Sequence, residues 1–220
     1  MCPKKIKKPW PTKAAMEQVY QLNLWGFNET KFYSGEGSHH SNYVEPYITV
    51  VSSFLSSFSI PPVVCDLGCG DFNIGRQLVK YSSNYIGVDI VNDLILHNKN
   101  IFNQKQLEFR CLDIANDPIP AGDCAIIRQV FQHLSNDEVQ QILKKLYQFK
   151  FVIITEHIPK HNFIPNIDIL SGQGIRLKKN SGLDVTAAPF NFKVIDKKQL
   201  LKLNVIAKNE LIVTTLYQMF

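Results

Sequence analysis

From residue 60 onward, short β-rich apolar runs alternate with segments of helical period, and this alternation limits the fold more than any other feature of the chain. The runs are Pro62 to Leu67, Asn84 to Asp89, Leu107 to Leu112, Cys124 to Ile127 and Phe151 to Thr155, with helical stretches at Asn73 to Tyr81, Asn92 to Asn103 and Asp137 to Phe149. Strands apolar on both faces and separated by helices must lie parallel beneath them. Right-handed crossovers then predict an α/β fold: a doubly wound, mostly parallel sheet with helices on both faces. Ser135, with Glu138 three residues on, reads as a capping box opening the third helix. The β-rich tail from Leu211 to Met219, preceded by Val205 to Ala207 and the turn-like Lys208-Asn209, predicts a closing hairpin-like pair and an antiparallel terminal strand.

Upstream, Thr12 to Trp25 and Ser41 to Phe58 read as amphipathic helices joined by the Gly/Ser/His-rich connection Tyr33 to His40. The expected division is an amino-terminal helical cap with a covering loop (residues 1–59) and a core (60–220). That core carries a long insertion at about 158–196 with three prolines and three glycines. A chain of 220 residues, 45% hydrophobic and 20% charged, can bury one such core, which excludes a disordered or low-complexity class. The net charge of +5 tilts only weakly toward anionic partners. The pairs Lys4-Lys5 and Lys7-Lys8 lack the apolar stretch of a secretory signal, and Tyr47 to Phe58, the best apolar candidate, is broken by four serines. Among Cys2, Cys65, Cys69, Cys111 and Cys124 there is no Cys-x-x-Cys spacing. These features predict a soluble cytoplasmic protein without a membrane segment or a metal site.

The first strand runs into a glycine turn and then a helix, Val63 to Gly75. In doubly wound sheets ligands bind beyond the carboxyl ends of the strands, where the strand order reverses, and this turn is the first candidate. A dinucleotide fingerprint needs a glycine three residues after Gly70, where Asn73 stands, and no P-loop sequence occurs. Asp66, just before the turn, is awkward beside a diphosphate but suits a ligand bearing an ammonium and a sulfonium. Asp89 ends the second strand, where a carboxylate can accept from both hydroxyls of a ribose. Asp113 ends the third, placed to accept from an adenine amino group while the Ile114 N–H donates to the ring. Any one of these aspartates alone is an ordinary helix cap, and His133 alone is a structural histidine beside Ser135.

These residues resemble the class I S-adenosylmethionine-dependent methyltransferases. The resemblance runs through Asp66-Leu67-Gly68-Cys69-Gly70, Gly87-Val88-Asp89, Leu112-Asp113-Ile114 and Asp123 to Leu134, in the family's order. It is closest to a bacterial branch with Ser34-Gly35-Glu36-Gly37-Ser38 before the sheet, and Asn166-Ile167-Asp168, Gly172 and Arg176 after the fifth strand. The resemblance implies a pocket for S-adenosyl-L-methionine formed by Ser34, Gly68, Gly70, Asp89, Asp113, Ile114, Arg128 and Gln129. Asp66, Cys69 and Ile90 complete the candidate cofactor set.

Methyl transfer is an in-line displacement, so such an enzyme chiefly holds nucleophile and methyl about 3 Å apart. An alcohol or ammonium nucleophile also needs a base, histidine first. His133, His157, His39, His40, Glu156 and Asp168 are candidates near the pocket mouth, and Arg128 with Arg176 could clamp a carboxylate or phosphate of the acceptor. The candidate catalytic set is His133, His157 and Arg176. There is no Asn/Asp-Pro-Pro-Tyr run, no acidic cluster for metal-assisted catechol methylation and no Lys-Asp-Lys-Glu set. A small or medium polar acceptor, anionic if the arginines engage it, is the resulting expectation. Two alternatives stand beside it: an RNA methyltransferase using the basic amino terminus, and a non-catalytic protein that only binds the cofactor.

Overall fold

The computed structural model describes residues 10–27, 30, 32–205 and 209–220. Seven strands form one sheet: β1 (Val63–Leu67), β2 (Asn84–Asp89), β3 (Leu107–Cys111), β4 (Cys124–Arg128), β5 (Phe151–Pro159), β6 (Asp196–Val205) and β7 (Glu210–Gln218). Their order is β3-β2-β1-β4-β5-β7-β6. The β1–β2, β2–β3, β1–β4 and β4–β5 pairs are parallel, whereas β7 runs antiparallel to both β5 and β6. The order reverses between β1 and β4, so a crevice opens at their carboxyl ends.

Among the described residues six α-helices accompany the sheet: α1 (Thr12–Gln21), α2 (Glu36–His39), α3 (Ser41–Ser56), α4 (Gly75–Leu78), α5 (Asn92–Ile101) and α6 (Asn136–Leu146). Successive strand residues face opposite sides, and two cores follow. Cys65, Leu67, Ala125 and Ile127 pack with Val139, Ile142, Leu143 and Leu146 of α6 on one face. Val64, Cys124 and Ile126 pack with Val44, Tyr47, Val51 and Leu55 of α3 on the other. The helical spacings of three and four residues put each apolar stripe toward the sheet. The Ser135–Glu138 capping box is formed at the start of α6.

Four elements differ from the sequence expectation. The helix expected from Asn73 begins at Gly75 and lasts one turn before a 3-10 turn at Val79–Tyr81, because Asp71 and Asn73 are engaged by the amino-terminal segment. β5 runs four residues longer than expected, carried by its pairing with β7 as far as Pro159 opposite Glu210. β6 is ten residues long, where a short run at Val205 to Ala207 was expected; its outward lysines, as on many edge strands, hide the apolar alternation. Ile206 and Ala207 of that run and Lys208 of the expected turn, like Cys2 and the amino-terminal lysine pairs, lie outside the described residues. The fourth is the joining loop, which holds the short helix α2. Among the described residues no helix is long and apolar enough to cross a membrane.

Candidate functional site

A cavity of about 830 Å³ lies over the carboxyl ends of β1 to β5, roofed by α1, α2 and the loop between them. Its floor is the turn after β1. Gly68 and Gly70 have φ of +91° and +55°, and a Cβ at Gly70 would lie 2.5 Å from Ser34 Oγ, while one at Gly68 would strike Val130. Glycine is therefore required both by backbone conformation and by close approach.

The hydrogen bonding of this turn decides what it can receive. Gly68 N and Cys69 N both donate to the Val88 carbonyl, at 2.8 and 2.9 Å. Gly70 N donates to Asp89 Oδ2 at 3.1 Å, and Asp71 N to Ser34 Oγ at 2.8 Å. Four successive N–H groups are thus engaged, leaving none of the donor cradle that a diphosphate uses at such turns. Three carboxylates surround the turn instead. Asp66 is buried, accepts from the Tyr85 hydroxyl at 2.9 Å, and is pushed up to about 7 by burial, with Asp89 adding repulsion. Asp89, also raised chiefly by burial, accepts from Gly70 N and Val91 N, one N–H on each oxygen. Such a crowd of carboxylates favours a cation.

The amino-terminal segment is latched onto this floor. Ser34 N donates to Asp71 Oδ2 at 2.7 Å, which also meets His39 Nε2 at 2.6 Å, and Tyr20 OH lies 2.9 Å from Ser34 Oγ. Arg128, at the end of β4, is buried over the Tyr47 ring, donating to the Gly37 carbonyl at 2.6 Å and to Ser38 Oγ at 3.3 Å. Asn98 of α5, which sequence reasoning missed, donates from Nδ2 to the Gly70 carbonyl at 2.8 Å while fully buried. A polar residue on the buried face of an otherwise amphipathic helix was the signal that could have found it.

Of the expected cofactor set, Ser34, Asp66, Gly68, Cys69, Gly70, Asp89, Ile90, Asp113, Ile114, Arg128 and Gln129 all line the cavity. Asp113 also closes its own turn, its Oδ1 accepting from Ala115 N at 2.9 Å and its Oδ2 from Asn116 Nδ2 at 2.8 Å.

His133 and His157 line the cavity as well, but Arg176 does not, and this corrects its expected role. Arg176 is 1% exposed and donates to the Phe131 and Leu134 carbonyls at 2.7 and 2.8 Å and to Asn136 Oδ1 at 2.7 Å. A guanidinium spent on three acceptors in the protein interior cannot clamp an acceptor molecule. Asn166 and Gly172 are likewise scaffold: Asn166 Nδ2 donates to the Asp184 and Ala188 carbonyls, and Gly172 N to that of His133. Arg176 and Gly172 thus pin the irregular 160–195 segment to the β4–α6 connection, while Asn166 ties that segment to itself. His133 is held neutral, its basicity lowered to about 4 by burial, with Nδ1 facing the Gly172 carbonyl at 3.1 Å and its ring 5.0 Å from that of Trp25. Glu156, pushed up to about 8 by burial, accepts from Phe131 N and Gln132 N, both at 3.0 Å. Asp168 accepts from Asn136 N and Ile169 N. His39 is latched to Asp71.

A family model described as "Methyltransferase domain" matches this chain over residues 64–149. The matched stretch runs from β1 through α6 and therefore includes the glycine turn, the three strand-end aspartates and Arg128; α1 to α3 and the strands β5 to β7 lie outside it. No curated protein matches the chain. Among solved structures, the N-methyltransferase NodS of Bradyrhizobium japonicum WM9, in complex with S-adenosyl-L-homocysteine, aligns with a TM-score of 0.65 at 9% identity, covering 93% of this chain and 98% of that one. Magnesium protoporphyrin IX methyltransferase of Synechocystis PCC 6803, with bound S-adenosylmethionine, gives 0.58 at 13% identity, covering 96% and 99%. The [4+2]-cyclase SpnF gives 0.61 at 11%, covering 96% and 98%. At these identities the likeness is one of fold, and that fold also serves a cyclase, so function has to be argued from the site.

Proposed function

We propose that this protein transfers a methyl group from S-adenosyl-L-methionine to a small or medium polar acceptor. The observation that carries the reading is a glycine turn whose N–H groups are already bonded, flanked in the cavity by Asp66 and Asp89. This is a cradle for a cationic nucleoside rather than a dinucleotide. The residues fit that group: each Asp89 oxygen accepts one N–H and keeps a lone pair for a ribose hydroxyl. Asp113 and Ile114 would meet the adenine and Asp66 and Gly68 the charged end, all four lining the cavity. The bound cofactor would supply an activated methyl on a sulfonium, and the chain would hold and orient it.

The cavity continues past the end of β4 to Gln129, His157, Lys178 and Glu210, which supports a second molecule rather than simple cofactor storage. With Arg176 in the interior and Arg128 bonded to α2 and Ser38, Lys178 supplies the exposed positive charge among the described lining residues. The rationale for an anionic acceptor is weakened accordingly.

Titration calorimetry with S-adenosylmethionine, S-adenosylhomocysteine and NAD tests the cofactor, and a metabolite screen following a labelled methyl tests transfer. Binding of the first two but not NAD is expected; NAD binding alone would refute the reading.

A further inference from the structure

We propose that His157 is the base that takes the proton of the acceptor's nucleophile, oriented by Glu210 and covered by Gln129 until the acceptor enters. This rests on the methyltransferase reading above and names its acceptor class: an oxygen or nitrogen nucleophile that carries a proton.

In the antiparallel β5–β7 ladder His157 faces Ile212, so Glu210, two residues away on the same side, is its diagonal neighbour. His157 Nδ1 lies 3.4 Å from Glu210 Oε2, the two side chains being 15% and 18% exposed. On the other side His157 Nε2 lies 2.9 Å from Gln129 Nε2. A carboxylate opposite Nδ1 selects the tautomer protonated there, which leaves the Nε2 lone pair to accept from the Gln129 amide. Gln129 holds φ +58° directly after β4, an unfavourable conformation for a residue with a side chain. Its amide packs against Gly37 of α2, where any Cβ would collide with it, so the cover on His157 is coupled to the roof of the cavity.

The strand order sets the direction. Asp89 ends β2 and His157 lies on β5, three strand spacings or roughly 14 Å away, with the glycine turn between them. A nucleoside at Asp89 and a reacting centre over β1 and β4 therefore put the acceptor beside β5. The other candidate bases are engaged elsewhere: His133 is buried and weakly basic, Glu156 and Asp168 cap backbone N–H groups, His39 meets Asp71, and His40 Nδ1 accepts from Asn42 N at the head of α3. The charged and titratable groups lining the same cavity include Glu210 from β7, Lys178 from the 160–195 segment, Glu36 and Tyr33 from the cap and Arg128 from β4, with Asp66, Asp89, Asp113, His133 and Glu138 from the strand ends and the head of α6.

In the step itself the acceptor's oxygen or nitrogen gains the methyl carbon while the carbon–sulfur bonding pair stays on sulfur. The acceptor's proton passes to His157 Nε2, so positive charge moves from sulfur to an imidazolium beside Glu210, and that proton leaves to water after product release.

Diethyl pyrocarbonate, which acylates unprotonated imidazole, tests this without a known acceptor. On protein saturated with S-adenosylhomocysteine, mass spectrometry should find His157 modified, with a midpoint that Glu210→Gln moves about one pH unit lower and Glu210→Asp restores, while Gln129→Ala raises the rate several-fold. An unreactive His157, or a midpoint indifferent to Glu210→Gln in a variant with native circular dichroism, overturns the assignment. For any acceptor found by the methyl screen, His157→Gln should lower kcat about 10²- to 10⁴-fold with cofactor Kd unchanged; undiminished turnover overturns it as well. Failure of the wild-type chain to bind S-adenosylmethionine would instead count against the methyltransferase reading.

Discussion

At the residue scale, the site gathers groups whose burial works against their charge. Burial pushes Asp66 from its ordinary value of 3.8 up to about 7, outweighing the Tyr85 hydrogen bond. Between those values the native state binds a proton that the unfolded chain has lost, so stability falls as pH rises, by up to about 1.4 kcal/mol per unit for one proton. Glu156, raised to about 8, contributes with the same sign, and His133, lowered to about 4, with the opposite sign below pH 6.5. Asp66→Asn keeps an acceptor for Tyr85 but removes the ionisation. Urea unfolding of the ligand-free protein at pH 5 and pH 7 should show the wild type losing roughly 2 kcal/mol more than the variant. Equal losses would mean that Asp66 titrates normally. A cationic ligand beside Asp66 and Asp89 favours their ionised forms, so S-adenosylmethionine should bind more tightly as pH rises from 5 to 8, and calorimetry at those two values checks it.

At the element scale, the irregular 160–195 segment is held by donors aimed into the β4–α6 connection. Arg176 is the largest fully buried side chain, and three acceptors depend on it. Arg176→Ala should destabilise the protein by about 3–5 kcal/mol, and Arg176→Lys should recover little, because an ammonium cannot reproduce the fork. Thermal melts of the two variants check this; a stable Arg176→Ala protein would return the residue to the list of functional candidates. The capping box at the head of α6 is a smaller device: Ser135 Oγ and the Glu138 carboxylate serve each other's backbone N–H groups. Ser135→Ala should cost about 1 kcal/mol, measured by denaturant midpoint. Both devices have sequence signals, yet only the capping box is readable from spacing alone. Arg176 belongs to a motif that sequence reading connects with function, and its true partners are carbonyls some forty residues away in the chain.

For the whole molecule, one sheet separates two apolar cores, and they should respond independently. Ile142 of α6 is buried in one and Ile153 of β5 in the other. Each change to Val should cost about 0.5–1.5 kcal/mol, and the double variant should equal the sum within about 0.5 kcal/mol; a larger discrepancy would mean that the sheet transmits strain between its faces. The existence and parallel run of β1 to β5, the glycine turn and the strand-end aspartates were legible in the sequence, because apolar periodicity and glycine placement are local properties written into consecutive residues. The length of β6 was concealed by edge lysines, and α4 was shortened by bonds from a loop 35 residues earlier in the chain. Which polar residues meet the cavity was decided only by tertiary structure: Arg176 and His157 look alike as candidates in sequence, yet one is consumed inside the protein and the other lines the cavity beside Glu210. Hydrogen-bonding groups are satisfied by whatever the folded chain brings near them, and that proximity is set by packing between distant segments rather than by the order of residues.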